Sequence, residues 1–157
     1  MPILNLPPFE PRILAEGEKR EIFDTLRRKY VALTPEEWVR QHFVHYLLEE
    51  KGYPRNLLAN EVSLQLNGLS RRCDTLVYDA YLHPLMIVEY KAPTLPLQEK
   101  VFAQISRYNM ALHVRYLTVS NGMQHFCCRI DYEDLSYAFL EQIPNYVEIA
   151  NSGKPTA

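Results

Sequence analysis

Two strand-like segments joined by a very short connection place the strongest constraint on the fold of this chain. Residues Arg71–Tyr78 and Pro84–Lys91 are rich in Leu, Val, Ile and Tyr, and a turn-like Asp-Ala-Tyr-Leu-His sequence lies between them. So short a connection can join neighbouring strands only in the antiparallel direction. The two segments are therefore predicted to form a hairpin.

The register of this hairpin determines which side chains meet. If the residues between the segments form the turn, Tyr78 lies opposite Leu85. Counting back from that pair places Asp74 opposite Glu89, and directly opposite residues have Cβ atoms about 5 Å apart. Lys91 follows Glu89 by two residues and therefore projects from the same side of its strand. The sequence thus predicts two carboxylates and one ammonium group at one end of a largely apolar hairpin.

Such a cluster of charges is typical of a site for a divalent cation. Two carboxylates this close repel each other unless a proton or a cation lies between them, and Lys91 compensates only part of their charge. Mg²⁺ typically binds one or two protein carboxylates together with waters and phosphate oxygens of a substrate. The arrangement favours a metal site for phosphodiester chemistry. A surface salt-bridge cluster is the alternative interpretation of the same three residues.

Length, charge and cysteine content narrow the broad class of the protein. A chain of 157 residues with a formal net charge of −2 is expected to be one domain without an overall basic excess, although a local groove is enough for phosphate contact. The three cysteines (Cys73, Cys127 and Cys128) show no metal-binding spacing, which favours buried thiols in a reducing cytoplasm. We find no signal peptide and no apolar run long enough to cross a membrane, so we expect a cytoplasmic protein without a membrane partner.

The organisation of the chain is predicted as one domain with two flanking segments. Residues 1–20 are Pro-rich and then charged, and we expect an extended arm along the surface. Residues 21–150 are predicted to form a single domain, which begins with short strands at Glu21–Phe23 and Lys29–Leu33. Residues 151–157 are predicted to be a disordered tail.

Capping and periodicity locate the other elements. The sequence Thr34-Pro35-Glu36-Glu37 is a capping box that begins a helix, and Gly52-Tyr53-Pro54 ends it. The strand–helix–strand passage from Glu89 to Ser120 is predicted to be a right-handed parallel crossover. An Asn67-Gly68 turn, a second helix and four further strands are predicted, the last at an edge: Asn60–Leu66, Leu97–Leu112 (helix), Tyr116–Ser120, Met123–Ile130 and Ser136–Leu140. The fold class is therefore α/β, a mixed sheet flanked by helices.

These motifs resemble those of a known family. Asp74 followed by Glu89-x-Lys91 resembles the PD-(D/E)xK nuclease signature on its α-β-β-β-α-β core, although Cys73 replaces the proline that usually precedes the Asp. A larger block, over about residues 20 to 145, resembles the type I restriction enzyme R-protein N-terminal domain, most of all its small stand-alone members. The block comprises Phe23-Asp24, Arg28-Lys29-Tyr30-Val31, Leu33 to Gln41, Gly52-Tyr53-Pro54, Glu61, Arg72-x-Asp74, Glu89-Tyr90-Lys91-Ala92-Pro93, Gln104-x-x-x-Tyr108-Asn109 and Asn121-Gly122.

The resemblance implies a restriction-endonuclease-like fold with Mg²⁺ as cofactor and Mn²⁺ as a substitute. Asp74 and Glu89 would bind the metal, helped by the main-chain carbonyl of Tyr90. Lys91 would orient the attacking water and stabilise charge developing on the phosphate. Glu37 matches a helical acid that often completes the outer shell of the metal, although the capping box gives it a structural role as well.

Further residues are implied in catalysis or in substrate binding. Gln104 and Tyr108 match the family's QxxxY element, which borders the site and either contacts DNA or steadies the lysine; helix-surface hydrogen bonding and a core tyrosine are the alternative. Arg72 lies on the same face as Asp74, where it could bind phosphate or form an ion pair. Lys100 is another candidate for substrate binding. Glu61 could direct its side chain toward the site from the first strand, although a solvated face is favoured. The five scattered histidines receive no site role.

The sequence therefore predicts a divalent-metal-dependent phosphodiesterase, an endonuclease acting on DNA. The alternative is a catalytically silent module of the same fold that binds nucleic acid or a protein partner. RNA as substrate and a homodimer remain open from the sequence. The family's full R-protein carries a motor after this domain, and we find no Walker motif here, so partner subunits that supply targeting or a motor are also open.

Overall fold

The computed structural model describes residues 1–66 and 68–151, apart from the side chains of Leu66 and Tyr108. The elements in chain order are β1 (Ile13–Glu16), β2 (Lys19–Asp24), β3 (Lys29–Ala32), α1 (Pro35–Glu49), a short 3-10 helix (Arg55–Leu57), β4 (Leu58–Leu66), β5 (Leu69–Tyr78), β6 (Pro84–Tyr90), α2 (Glu99–Leu112), β7 (Tyr116–Ser120), β8 (His125–Asp131), β9 (Ser136–Phe139) and α3 (Tyr146–Asn151). The predicted tail, from residue 152 on, and Asn67 of the predicted turn lie outside the described residues.

A six-stranded sheet in the order β4-β5-β6-β7-β8-β9 forms the centre of the fold. Strands β6 and β7 are parallel because α2 lies between them in the chain and provides the crossover, whereas the other neighbouring pairs are antiparallel. The order α1-β4-β5-β6-α2-β7 is the predicted α-β-β-β-α-β core. The predicted α/β class with a mixed sheet flanked by helices is confirmed.

The central hairpin forms with a local change of register. Tyr78 pairs with Pro84 and not with the predicted Leu85, because the ladder between β5 and β6 shifts next to the turn. The rest of the ladder follows the predicted count, and its continuation places Asp74 opposite Glu89. The error at the turn therefore leaves the pairing of the two acids unchanged.

The predicted N-terminal arm is wrong in its second half. Strands β1, β2 and β3 form a separate antiparallel sheet, and both β1 and the start of β2 lie within residues 1–20. Gly17 has a φ of +60° at the turn between β1 and β2, a conformation that glycine adopts without steric cost. The charged sequence around this glycine resembles a solvated surface segment, so the hairpin was missed.

The first residues of the chain pack against the turn between β7 and β8. Leu4 is buried, and the main-chain N–H of Asn5 donates to the carbonyl of Gly122 at 2.8 Å. Gly122 has a φ of +84°, and a Cβ placed there would come within 2.7 Å of a Leu4 methyl carbon. The predicted Asn121-Gly122 turn is thus present, and glycine is required there by both backbone conformation and packing.

Helix α1 begins as predicted and covers one face of the sheet. The main-chain N–H of Glu37 donates to Thr34 Oγ1 at 3.0 Å, which is the N-cap half of the capping box. Val39, Phe43 and Leu47 are fully buried in a core that includes residues of β5, β6 and β7. Helix α2 starts two residues later than predicted, at Glu99, and packs on the opposite face, where two smaller apolar clusters lie.

Two further expectations concern the thiols and the membrane. Cys73, Cys127 and Cys128 are all buried and free, so the prediction of buried thiols is confirmed. Among the described residues, no helix combines the length and the hydrophobicity that crossing a membrane would need.

Candidate functional site

A polar cleft opens where the end of β6, the start of α1 and the middle of β4 and β5 meet. Its volume is about 340 Å³. The described residues that line it are Thr34, Glu36, Arg40, Glu61, Asp74, Glu89, Tyr90 and Lys91. The three residues on which the sequence-based metal site depends, Asp74, Glu89 and Lys91, are all among them. The structure therefore brings the predicted acids and lysine into one cleft.

The local backbone of β4 and β5 explains how Asp74 reaches this cleft. Glu61 has a φ of +56° in the middle of β4, and the ladder continues on both sides of Glu61 and Asp74 but omits that pair. The side of the sheet to which alternate β5 side chains point also changes here. Thr75 bonds to Tyr90 within the core under α1, whereas Cys73, two residues earlier, packs in a cluster under α2. A left-handed conformation at a non-glycine residue costs about 1–3 kcal/mol and persists only where the surroundings hold it.

Asp74 and Glu89 form a close pair of carboxyl groups. Asp74 Oδ2 accepts a hydrogen bond of 2.9 Å from the main-chain N–H of Tyr90. Glu89 is only 8% exposed, and its Oε1 lies 2.6 Å from Arg71 Nη2. Burial and the negative charge of Asp74 raise the pKa of Glu89 to about 8, against the opposing charges of Arg71 and Lys91. Glu89 therefore holds a proton more tightly than an ordinary carboxyl group does.

Lys91 and Tyr90 lie at the end of β6. The main-chain N–H of Lys91 donates to the carbonyl of Ser120 at 2.9 Å, which fixes the backbone beside the parallel strand β7. The side chain of Tyr90 is buried, and its hydroxyl donates to Thr75 Oγ1 at 2.9 Å. Tyr90 lines the cleft, as expected for a residue whose carbonyl helps to bind a metal; that role for the carbonyl stays a prediction.

Glu37 occupies a different environment from the one that a metal ligand needs. It is buried, and four donors bind its two carboxylate oxygens: Arg40 Nε and Nη2 at 2.9 and 2.7 Å, Gln41 Nε2 at 2.8 Å and Arg27 Nη2 at 3.1 Å. It is absent from the described lining of the cleft. These contacts favour a structural role, and they also show that its carboxylate serves ion pairs with the two arginines.

The described lining of the cleft does not include Gln104, Lys100 or Arg72, which the sequence analysis implied in catalysis or substrate binding. Gln104 and Lys100 are exposed on α2. The side chain of Tyr108 lies outside the described residues. Arg72 is exposed and forms an ion pair with Glu61, with its Nε 2.5 Å from Oε2. Of the two roles expected for Arg72, the ion pair is therefore present, and phosphate binding stays a prediction.

Arg40 was missed as a cleft residue from the sequence, and Glu61 lies in the cleft although a solvated face was favoured for it. Arg40 donates through Nη1 to the main-chain carbonyl of Asp74 at 2.7 Å, and its Nη2 lies 2.8 Å from Glu61 Oε1. Glu61 therefore lies between Arg40 and Arg72; burial alone would raise the pKa of Glu61, but the two guanidinium groups lower it below its usual value. The available signal for Arg40 was its spacing of three residues from Glu37 on a helix. No sequence signal indicates the left-handed conformation that turns Glu61 inward.

The donor set of the cleft suits a cation that binds oxygen. Among the described parts of the chain, no group of three or more His, Cys, Asp and Glu side chains is placed to hold a metal ion. A cation here would take the carboxylates of Asp74 and Glu89 and complete its shell with main-chain and water oxygens. Mg²⁺ commonly binds in this way, so the residues present fit that ion.

Comparison with known proteins identifies the family. The model of the family described as Type I restriction enzyme R protein N terminus (HSDR_N) matches residues 35–144. The chain belongs to this family. The matched segment begins with α1, so β1, β2 and β3 precede it.

A solved structure agrees with this membership at the level of the fold. A fragment of a protein described as the HsdR subunit of a type I restriction enzyme from Vibrio vulnificus YJ016 has a TM-score of 0.50 and 19% sequence identity to the chain. The alignment covers 76% of this chain and 25% of that protein, so the chain spans about a quarter of its length. A search of curated proteins gives no match.

Proposed function

We propose that this member of the R-protein N-terminal family is a divalent-metal-dependent phosphodiesterase, a nuclease module that acts on DNA. The observation that carries the proposal is the meeting of Asp74, Glu89 and Lys91 in one cleft. Two acids in contact, one of them buried and with its pKa raised to about 8, are incompletely compensated by protein cations. Strongly shifted acids that lie together in a cleft are typical of functional sites, and a bound cation would supply the missing compensation.

The acids would hold Mg²⁺ or Mn²⁺, with the carbonyl of Tyr90 as a further ligand. When bound, such a cation supplies a water nucleophile at neutral pH and neutralises charge on the phosphate. The hydrogen bond from the Tyr90 N–H holds one carboxylate oxygen of Asp74. Because this bond restricts the side chain, it also sets the direction of the other oxygen. Arg71 holds one oxygen of Glu89 in the same way. Both carboxylates are thus oriented by the protein before any ligand arrives.

Lys91 supplies the positive charge that faces the substrate. Its ammonium group is a compact charge with three donors, suited to a phosphate oxygen or to the attacking water. Because its main chain is fixed to β7, the side chain starts from a defined position two residues after Glu89. Arg72, which is exposed beside the cleft, is proposed to add a phosphate contact, and Gln104, Tyr108 and Lys100 on α2 to contribute to substrate binding or to steady Lys91.

The wider biological context is also a proposal. Type I restriction R proteins suggest DNA as the partner together with other subunits that supply targeting or translocation. A cytoplasmic location and a homodimer that cuts both strands fit this context. Whether the protein acts on RNA in place of DNA is decided by the choice of substrates in the test below.

The test is cleavage of plasmid and oligonucleotide substrates with Mg²⁺ or Mn²⁺, by the wild type and by Lys91→Ala. Removing one preorganised donor to the transition state typically costs about 10²–10³ in rate, so we expect at least a 100-fold loss. Lys29→Ala, at an exposed position on β3, is the matched control and should cut as the wild type does. Equal cutting by Lys91→Ala and the wild type would contradict the proposed role of the lysine.

One observation favours the second candidate, a silent binding module of the same fold. Arg71 Nη2 lies 2.6 Å from Glu89 Oε1 and would have to share that oxygen with a cation. If this ion pair persists, the protein binds DNA without metal. Wild-type protein that binds duplex DNA equally with Mg²⁺ or with EDTA, and cuts in neither, would support this function over the first.

A further inference from the structure

The interruption between β4 and β5 leaves the main chain of Asp74 without its usual ladder partner. The ladder between β4 and β5 pairs Asn60 with Thr75 and Val62 with Cys73, but it omits the pair Glu61–Asp74. At this interruption, Arg40 Nη1 donates to the Asp74 carbonyl at 2.7 Å. The main chain of a candidate metal-binding residue is therefore held by a side chain of α1, in addition to the contact that β6 makes with its carboxylate.

The Arg40 guanidinium is itself held on all its nitrogens. Nε and Nη2 donate to Glu37, and Nη2 also lies 2.8 Å from Glu61 Oε1. Its side chain is only 9% exposed. Burial disfavours the charged form, but the carboxylates of Glu37 and Glu61 outweigh it and raise the pKa of Arg40 above its usual value. The group is thus a permanent cation with a single orientation.

A second arginine extends this network to the N-terminal sheet. Arg27, in the turn between β2 and β3, donates to Glu37 at 3.1 Å and to the fully buried Asp24 at 2.5 Å. Asp24 also accepts from Asn60 Nδ2 at 3.0 Å. A chain of charged contacts therefore runs from a sheet outside the family match to the backbone of the cleft.

We propose that Arg40 is a positioning residue for the cleft: it sets the main chain of Asp74, and Arg27 steadies it through Glu37. The expected effect on cation binding rests on the proposed function, because it assumes that Asp74 binds the cation. The positioning of the Asp74 main chain by Arg40 depends only on the contacts described above. Arg40 has no proposed contact with substrate, since its nitrogens are used by Glu37, Glu61 and Asp74.

The decisive variant is Arg40→Lys. Lysine keeps the charge beside Glu37 and Glu61, but its single ammonium group cannot also reproduce the planar fork that reaches the Asp74 carbonyl. The first readout is the amide resonance of Tyr90 in a ¹H–¹⁵N spectrum without metal, because that N–H donates to Asp74. We expect this resonance to move in Arg40→Lys and, by a smaller amount, in Arg27→Lys, where lysine cannot reproduce the fork that reaches both Asp24 and Glu37. The control Arg20→Ala removes an exposed arginine that bonds only to carbonyls of its own turn, and it should leave the resonance in place.

The second readout is the affinity for Mn²⁺ alone, measured by calorimetry on the full chain. Loss of a group that orients a metal ligand typically costs 10–100-fold in affinity, and we expect a loss in this range for Arg40→Lys. Arg27→Lys serves as the second variant if Arg40→Lys does not fold, because it keeps a cation beside the buried Asp24 and leaves every donor of Arg40 in place.

The outcomes separate this inference from the proposed function. A shifted Tyr90 resonance with weakened Mn²⁺ binding supports both. If the wild type binds no Mn²⁺, the proposed function fails, and the Tyr90 resonance alone then decides the positioning role. A Tyr90 resonance that stays within the spread of Arg20→Ala in both variants overturns it, whatever the metal affinity.

Discussion

Two sets of buried or half-buried carboxylates lie within a short distance of the cleft, and they are compensated in opposite ways. Asp24, Glu37 and Glu61 each accept from at least one guanidinium group, and burial is outweighed so that the pKa values of Asp24 and Glu61 fall below the usual range. Asp74 and Glu89 lie together, and although Glu89 accepts from Arg71, burial and the charge of Asp74 raise the pKa of Glu89 to about 8. Residues of the same type thus titrate in opposite directions within one network.

This difference separates carboxylates that stabilise the fold from carboxylates that could bind a cation. A fully paired carboxylate is already neutralised and hydrogen-bonded, so it attracts no further cation. A pair of acids that repel each other is relieved by a cation, and Asp74 and Glu89 form such a pair in the cleft. Four predictions test this division, from the largest expected effect to the smallest.

The largest effect is expected for Asp24→Ala. Its carboxylate is fully buried and binds Arg27, Asn60 and two main-chain N–H groups, so its removal breaks one of the two ion pairs of Arg27 and leaves the other donors without their acceptor. Breaking a buried ion pair costs about 3–5 kcal/mol of the free energy of unfolding, to be measured by urea denaturation. The control Glu21→Ala removes a surface ion pair of 3.6 Å on the same strand and should change stability by less than about 0.5 kcal/mol. Similar losses in both variants would contradict the division.

The second effect is the response of thermal stability to metal. A ligand that binds only the folded state at about 100 times its Kd stabilises it by about 2.7 kcal/mol. We expect Mn²⁺ to raise the Tm of the wild type and of Glu61→Gln, and to have no such effect on Asp74→Asn or Glu89→Gln. A metal response that disappears in Glu61→Gln as well would break the comparison, because it would place Glu61 among the ligands.

The third effect is the dependence of stability on pH through Asp24. The main-chain and side-chain bonds from Arg27 and Asn60 outweigh burial and lower the pKa of Asp24 in the folded state. A lowered pKa of an acid stabilises the fold above the unfolded value, near 3.9, and this contribution is lost as pH falls through the folded value. The free-energy difference between wild type and Asp24→Asn should therefore be constant near neutral pH and shrink below about pH 4. A difference that does not vary between pH 2 and 7 would refute the assignment.

The smallest effect is expected for Arg72→Ala. This arginine pairs with Glu61, as Arg40 does, but 67% of its side chain is exposed, so solvent screens the pair. Exposed ion pairs contribute about 0.2–1 kcal/mol, and we expect the urea midpoint to change by no more than this. The matched variant Arg40→Ala should lose considerably more, because it leaves Glu37 buried without that partner. Equal losses would show that burial does not separate the two arginines.

The local elements were largely predictable because their signals are short in range. The capping sequence at Thr34 located the start of α1, and the count across the central hairpin placed Asp74 opposite Glu89 despite the shift beside the turn. The bounds of β7, Tyr116–Ser120, agree with the prediction. Each of these features depends on residues that are near in sequence or joined by one tight turn.

The parts that were missed depend on contacts between distant segments. The first half of the N-terminal sheet was interpreted as an arm because nothing in its charged sequence indicates that it folds back. Arg27 and Asp24 enter the network near the cleft only through α1 and β4. The capping box gave Glu37 a local partner, whereas in the structure two arginines and a glutamine bind its carboxylate.

The sequence by itself determined the order of the elements, the hairpin and the identity of the two acids and the lysine, because periodicity, turn length and residue spacing act along the chain. Only the tertiary structure decided which carboxylates are neutralised. That outcome depends on where Arg27, Arg40 and Arg71 lie in space, and on the left-handed conformation of Glu61, since charge compensation follows distance and burial rather than position in the sequence.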